Sequence, residues 1–436
     1  MSIELSLPSS VNFANKLPAL SDDVRTDLLT IQSNNGTSFT SGNVVNFDLP
    51  SRAGLFLDPA TMFIRYKVNY VVATADVVVR GIPSAAHIAK LDEYVGSQPI
   101  NSVYQYNAAA TAWINTNMSV ADKYGQQFSL GLSPTTGVPT LATQDSRTIA
   151  VGTGSYTVAM PLLCSAFASC DHLIPSGLMP AGRVQLTIAA PSEFLTASSA
   201  NMTTFNITNC ELCVAGVNLG VAVENMVASM GPRLILRANG WASASQSIPS
   251  GSSGVQSLPF NHRYKSIENI FMMFSGTNAA YDVNAWADSR DVTGTAGGSY
   301  QVVVGSQQFP LLPIDTAANK AGALQYLREA TGSISDFRNS MSINTVEYSY
   351  LGDSTGATTA VEPAKFIVGI PMNRVHSTDP YKPSSLLSGV DCASTPILAT
   401  VRIGTATVQT FNATMLAQYT VLIEIDPMTR QVNIVQ

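Results

Sequence analysis

The chain has 436 residues, of which 12% are charged and 45% hydrophobic, and its formal net charge is −6. Such a balance excludes the basic footprint of a nucleic-acid binder, and residues 1–40 carry only Lys16 and Arg25, no basic arm able to neutralise a packaged genome. Low charge with high apolar content suits a surface covered by copies of the same protein, and it suits an ordinary acidic β-rich protein equally well.

Residues 1–40 are polar and aperiodic and read as an arm. Val44-Val-Asn-Phe-Asp-Leu-Pro50 then runs through a turn into a long strand. From Met62 to Val72 the apolar residues Met62, Ile64, Tyr66, Val68, Tyr70 and Val72 alternate with Thr61, Arg65, Lys67 and Asn69. This period of two predicts a half-buried strand. Further strands are expected at Tyr156–Cys164, Arg183–Ala189 and Phe205–Val214. Val221 to Met230 bridges to Gly231-Pro232, a turn dipeptide that marks the domain boundary.

Beyond it, Arg233–Arg237 opens a second β-rich stretch, and Val255-Gln-Ser-Leu-Pro259 runs through a turn into Arg263–Phe274, as the first half does. The two Leu-Pro pairs begin at Leu49 and Leu258, 209 residues apart. Strands follow at Tyr300–Val304, Phe366–Ile370 and Pro396–Ile403. Tyr419, Val421, Ile423 and Ile425 share one face before the turn Asp426-Pro-Met-Thr429, and Val432 and Ile434 close a hairpin. The repeated openings and closings imply an all-β chain of an arm (1–40), a first domain (41–220), a linker (221–232) and a second domain (233–436). One helix is expected, Thr316 to Thr331, with Asp315 as N-cap, Gly332 just past its end and a stripe of Ala317, Ala321, Leu324 and Leu327. Segments 74–100, 118–155 and 275–298 are rich in small residues and read as long loops.

No catalytic constellation is found: there is no Gly-x-Ser-x-Gly elbow, Walker loop, His-Glu-x-x-His or EF-hand pattern. His87, His172, His262 and His376 have no ligand spacing and read as structural. Cys164, Cys170, Cys210, Cys213 and Cys392 are odd in number and read as reduced thiols. Cys210-Glu-Leu-Cys213 has a zinc-like spacing and Cys170-Asp-His172 could add ligands, but in a strand residues three apart face opposite ways, so buried hydrophobes are the better reading. No catalytic, cofactor or metal residue is therefore assigned. The sequons at Asn35, Asn117, Asn201, Asn206 and Asn412 fit an Asn- and Thr-rich chain without a secretory signal, and no 18-residue apolar span is present. An intracellular, non-secreted product is expected. Two carboxylates suffice for a glycosidase, which keeps a β-sandwich carbohydrate-active enzyme or binding module as the alternative.

The chain resembles the double jelly-roll major capsid proteins of icosahedral DNA viruses, in the compact form found in small tailless phages and polinton-like viruses. The blocks that carry this are Ser266–Phe274, Tyr300–Pro310 with the helix after it, Leu386–Pro396, the closing hairpin, and Val44–Val72 with Met160–Ala189. The resemblance implies two consecutive eight-stranded antiparallel jelly rolls with a short helix inserted in the second. A single jelly roll with a protruding β-domain is the alternative topology. It also implies a homotrimer, pseudo-hexagonal in outline, that builds the virion shell without catalysis or cofactors. Its partners would be itself, neighbouring capsomers, and penton and minor capsid proteins. The scarcity of basic residues fits a shell lined by a membrane or by other proteins, or a genome neutralised otherwise, with no sequence-specific nucleic-acid binding.

Overall fold

The computed structural model describes residues 24–79, 81–132, 148–195, 201–276, 291–293, 297–332, 341–343, 348, 365–373, 387–407 and 409–436. The first half contains β1 (Arg25–Gln32), β2 (Ser38–Phe39), β3 (Val44–Asp48), β4 (Leu55–Val72), β5 (Val77–Val78), α1 (Pro83–Ala86), β6 (Ile88–Val95) and β7 (Gln98–Tyr104). It continues with α2 (Tyr106–Asn117), α3 (Val120–Gly125), α4 (Gln127–Leu130), β8 (Thr148–Ile149), β9 (Gly152–Pro161), β10 (Ile174–Pro175), β11 (Gly182–Ile188), α5 (Pro191–Phe194) and β12 (Met202–Asn218). The linker is helical, α6 (Val221–Ser229). The second half is β13 (Leu234–Ile248), β14 (Gly254–Phe260), β15 (Ile267–Gly276), β16 (Ser299–Val304), β17 (Gln307–Ile314), α7 (Lys320–Ala330), β18 (Val368–Pro371), β19 (Ile397–Ile403), β20 (Phe411–Ile425) and β21 (Val432–Val435).

In the second half, β13 to β20 are eight strands in two sheets, ordered β13-β20-β15-β18 and β14-β19-β16-β17. Numbered one to eight, they run first-eighth-third-sixth and second-seventh-fourth-fifth. In the first half, β1, β3, β4, β6, β7, β9, β11 and β12 repeat that order: β1-β12-β4-β9 faces β3-β11-β6-β7. Eight antiparallel strands wound this way form a jelly roll, and the chain contains two. This order rules out a lone jelly roll with an unrelated protruding domain. The matched openings seen in the sequence are the second and third strands of each roll.

Alternation places the core as expected. Ile64, Tyr66 and Val68 in β4 and Val421 and Ile423 in β20 are buried, while Arg65 is exposed and Lys67 half-exposed. Two apolar faces meeting across a sandwich drive this arrangement. The closing turn forms at Asp426, whose Oδ1 accepts from Met428 N at 2.9 Å and Thr429 N at 3.2 Å.

Several expectations need correction. Residues 25–32, read as part of the arm, are the first strand of the first roll and pair with β12 from Arg25↔Asn218 to Gln32↔Glu211. The stretch 74–100, read as a loop, contains β6 and the start of β7. The helix in the second roll begins at Lys320, capped by Asn319, whose Oδ1 accepts from Gly322 N at 2.8 Å, while Asp315 caps the preceding turn through Ala318 N. Its buried stripe is Ala323, Leu327 and Ala330. The first roll also has helices, α2 to α4, at the equivalent place between its fifth and sixth strands. Residues 277–290, most of the third expected loop, lie outside the described residues.

The rolls share one sheet. β7 and β13 meet in a parallel bridge, Ser102↔Ala242, which joins β3-β11-β6-β7 to β13-β20-β15-β18. Every strand pairing within a roll is antiparallel.

Candidate functional site

Cys164, Cys210, Cys213, Cys392, His87 and His262 are buried, whereas Cys170 is half-buried and His172 is exposed. Cys210 and Cys213 lie buried in β12; burial pushes the Cys210 thiol up to about 12 and raises that of Cys213 as well. Such thiols are protonated and behave as small hydrophobes. Cys170 donates to the carbonyl of Ala166, and the exposed His172 sits on Asp171 at 2.8 Å. Among the described residues no three His, Cys, Asp or Glu side chains gather as a metal site would require. His87 is enclosed by Tyr66 and Tyr156, and burial lowers its pKa to about 3; His262 is lowered to about 4 for the same reason and lies between Phe260 and Tyr264. His376 lies outside the described residues. Four of the sequon side chains are engaged internally: Asn35 with Val44 O and Asn46 N, Asn117 with Trp113 O, Asn201 with Thr74, and Asn206 with Asn69.

The densest polar arrangement is the junction between the rolls. Glu93, in β6, is buried and accepts from Ser165 Oγ, from Ala166 N at 2.6 Å and from Asn101 Nδ2 at 2.8 Å. Desolvation raises its pKa, and these hydrogen bonds oppose the rise. Asn101 also donates to Cys164 O and accepts from Trp241 N, each at 2.8 Å, so one amide ties β7 to the first strand of the second roll. Asp171 adds a second tie: its Oδ1 accepts from Arg237 N at 3.0 Å and its Oδ2 from Arg237 Nε at 2.9 Å. Ser169 makes a third, exchanging hydrogen bonds with Asn239 N at 2.9 Å and Asn239 O at 3.2 Å. Buried polar groups satisfied in this way fix one register and one docking angle.

A cavity of about 70 Å³ lies within this junction, lined in part by Trp113, Ser165, Asn239, Trp241 and Gln418. It has room for about two waters and is far below the roughly 300–1,000 Å³ of a small-molecule site. The junction is built to hold two sandwiches together. Sequence reasoning missed it because its partners lie far apart along the chain, Asn101 and Trp241 by 140 positions.

Exposed apolar side chains cluster elsewhere: Leu311 and Leu312 on β17, Leu28 on β1, and Val221, Met226 and Met230 along and just past α6. Among the described residues no helix is long and apolar enough to cross a membrane.

No protein-family model matches the chain, and no curated protein matches it by sequence. Solved structures do. The PBCV-1 virus capsid protein aligns with 97% of this chain and 99% of its own at a TM-score of 0.63 and 12% identity. This chain has the double jelly-roll fold. The Faustovirus major capsid protein aligns over 97% of this double jelly roll and 92% of its own length, with a TM-score of 0.60 at 10% identity. A chain of the Sputnik virophage covers 100% and 93%, with a TM-score of 0.54 at 11% identity. At these coverages the alignments extend over both rolls of the double jelly roll.

Proposed function

We propose that this double jelly roll is the major capsid protein of an icosahedral virus, and that three copies form a capsomer in which six rolls ring one axis. The observation that carries this reading is the pair of rolls of identical strand order, locked edge to edge in one chain. Two like sandwiches per subunit make a trimer six-sided in outline, and such units tile a surface through contacts that close by symmetry. The role is structural and needs no catalytic centre or cofactor.

In this reading the partners are further copies of the chain, neighbouring capsomers, and penton and minor capsid proteins. With so few basic residues, the shell is lined by a membrane or by other proteins, or encloses a genome neutralised otherwise, and no sequence-specific nucleic-acid contact is made. The protein is made and assembled in the host cell and resides in the virion. Sedimentation and electron microscopy of the purified protein test this: trimers six-sided in projection, and shells at higher concentration, are expected. A monomer at every concentration would overturn it.

A further inference from the structure

Because the rolls repeat one topology, a contact that the chain makes once has a counterpart left unmade. Within the chain, the fifth strand of the first roll, β7, lies along the first strand of the second, β13. Ser102 bridges Ala242, Trp241 N donates to Asn101 Oδ1, Ser243 Oγ donates to Tyr104 O at 2.5 Å, and Gln105 Nε2 donates to Ser245 Oγ at 2.9 Å. The counterpart of β7 is β17, and among the described strands its outer edge has no neighbour. The counterpart of β13 is β1 together with β2. The two runs start at residues 25 and 234 and end at 39 and 248, so both ends are 209 apart. Among the described strands, β1 also has a free edge, the one away from β12.

The β17 edge is shaped for docking. Tyr300 pairs with Ile314 and Val302 with Phe309, so three residues of β16 oppose six of β17, and the excess bulges outward. Buried Gln301 supports the root of the bulge, its Nε2 donating to Pro310 O at 2.9 Å and Leu311 O at 3.2 Å. Leu311 and Leu312 form its tip and are 78% and 77% exposed. Pro310 and Pro313 remove backbone donors there, so the edge cannot extend a sheet indiscriminately. It is suited to side-chain packing with few ladder bonds, as at the single Ser102–Ala242 bridge.

We propose that a second copy of this chain covers the bulge: Leu311 and Leu312 of one copy seat against β1 and the Gln32–Gly36 turn of the next. This rests on the capsid reading, which supplies the second copy as occupant. Leu28, 60% exposed on β1, is the large apolar side chain that strand offers to the bulge, and Ser33 stands at the position equivalent to Ala242. The contact joins unlike surfaces, head to tail, and such a contact closes into a ring with no free edge when its rotation is the threefold of the capsid reading.

Paired cysteines test the geometry. Ser33→Cys with Leu312→Cys in the full chain should give, under mild oxidation, covalent oligomers ending at a closed ring, and either change alone should give none. The natural thiols add little background, since burial raises the pKa of all five. Leu312→Cys with Val255→Cys, on the opposite edge strand β14, is the control and should not cross-link. In a second arm, the double variant Leu311→Asp/Leu312→Asp should raise the dissociation constant of the oligomer roughly a hundredfold or more while its far-UV and near-UV circular dichroism stay those of the natural chain. If the aspartate variant associates like the natural chain, or if cross-links arise with Val255→Cys and not with Ser33→Cys, the inference is wrong and the capsid reading stands. If the natural chain is itself monomeric, both fall.

Discussion

Trp113, on the helix inserted in the first roll, meets Trp241, on the first strand of the second roll, edge to face with ring centroids 5.0 Å apart. Phe271 of β15 completes the group, 6.1 Å from Trp113 and 5.9 Å from Trp241. One roll thus places an aromatic knob in the other. Trp113→Ala leaves a void at this seam, and such truncations cost about 3–5 kcal/mol. Urea denaturation should show that loss, together with a split into two transitions as the rolls cease to unfold as one unit.

Asn101→Ala removes the amide that serves Glu93, Cys164 O and Trp241 N at once. The groups left behind are buried, and each unpaired polar group costs about 1–3 kcal/mol. A loss of roughly 3 kcal/mol or more is expected in equilibrium unfolding. Asn101→Asp should be worse, because it sets a second carboxylate against Glu93.

The elements legible in the sequence are those with one face in a core and one in solvent. β4 and the β20–β21 hairpin alternate cleanly, and the repeat at 209 residues follows the matched rolls. β1 was hidden because only Leu29 and Ile31 are half-buried in Arg-Thr-Asp-Leu-Leu-Thr-Ile-Gln, which leaves almost no alternation. β6 was hidden because Lys90, Asp92 and Glu93 break the apolar pattern: Lys90 pairs with Asp92, Asp92 accepts from Ser102, and Glu93 belongs to the junction. α2 is buried at ten of its twelve positions, so it has no stripe to find. Its Ala-rich run has high helix propensity, the one signal available.

His87 makes stability pH-dependent. Tyr66 Oη donates to Ser84 O, so His87 Nδ1–H donates to Tyr66 at 3.2 Å and Nε2 accepts from Tyr156 at 3.0 Å, a neutral imidazole. Its pKa is about 3 in the fold against about 6.5 unfolded. Between these values the unfolded chain holds the extra proton. Stability is therefore complete above the unfolded value and declines as pH falls toward 3, by about 1.4 kcal/mol per pH unit. Burial raises the carboxyls of Glu93, Glu268 and Asp291, which act in the opposite sense, so the natural chain should be compared with His87→Gln. Urea midpoints between pH 6 and 4 should fall less steeply in the variant; equal slopes would refute the assignment.

Gly369, in β18, lets α7 approach its sheet: a Cβ there would lie 2.8 Å from Leu327 Cα, a backbone atom that cannot swing away. Gly369→Val forces helix and strand apart, and overpacking of this kind costs about 1–3 kcal/mol or more. Hydrogen exchange should show faster opening of α7 with the first roll unchanged.

Two truncations separate the arm from the roll. Removing residues 1–23 leaves β1 intact, so the thermal midpoint should be retained, and under the capsid reading the variant should still form trimers while shell formation is impaired. Removing residues 1–33 deletes β1, which pairs along eight residues of β12 and supplies Leu29 and Ile31 to the core surface. The edge of β12 is then bare, an invitation to aggregation. Static light scattering and thermal melting should find the longer truncation destabilised and aggregating. A longer truncation as stable and monodisperse as the shorter one would show that the first roll does not need its first strand.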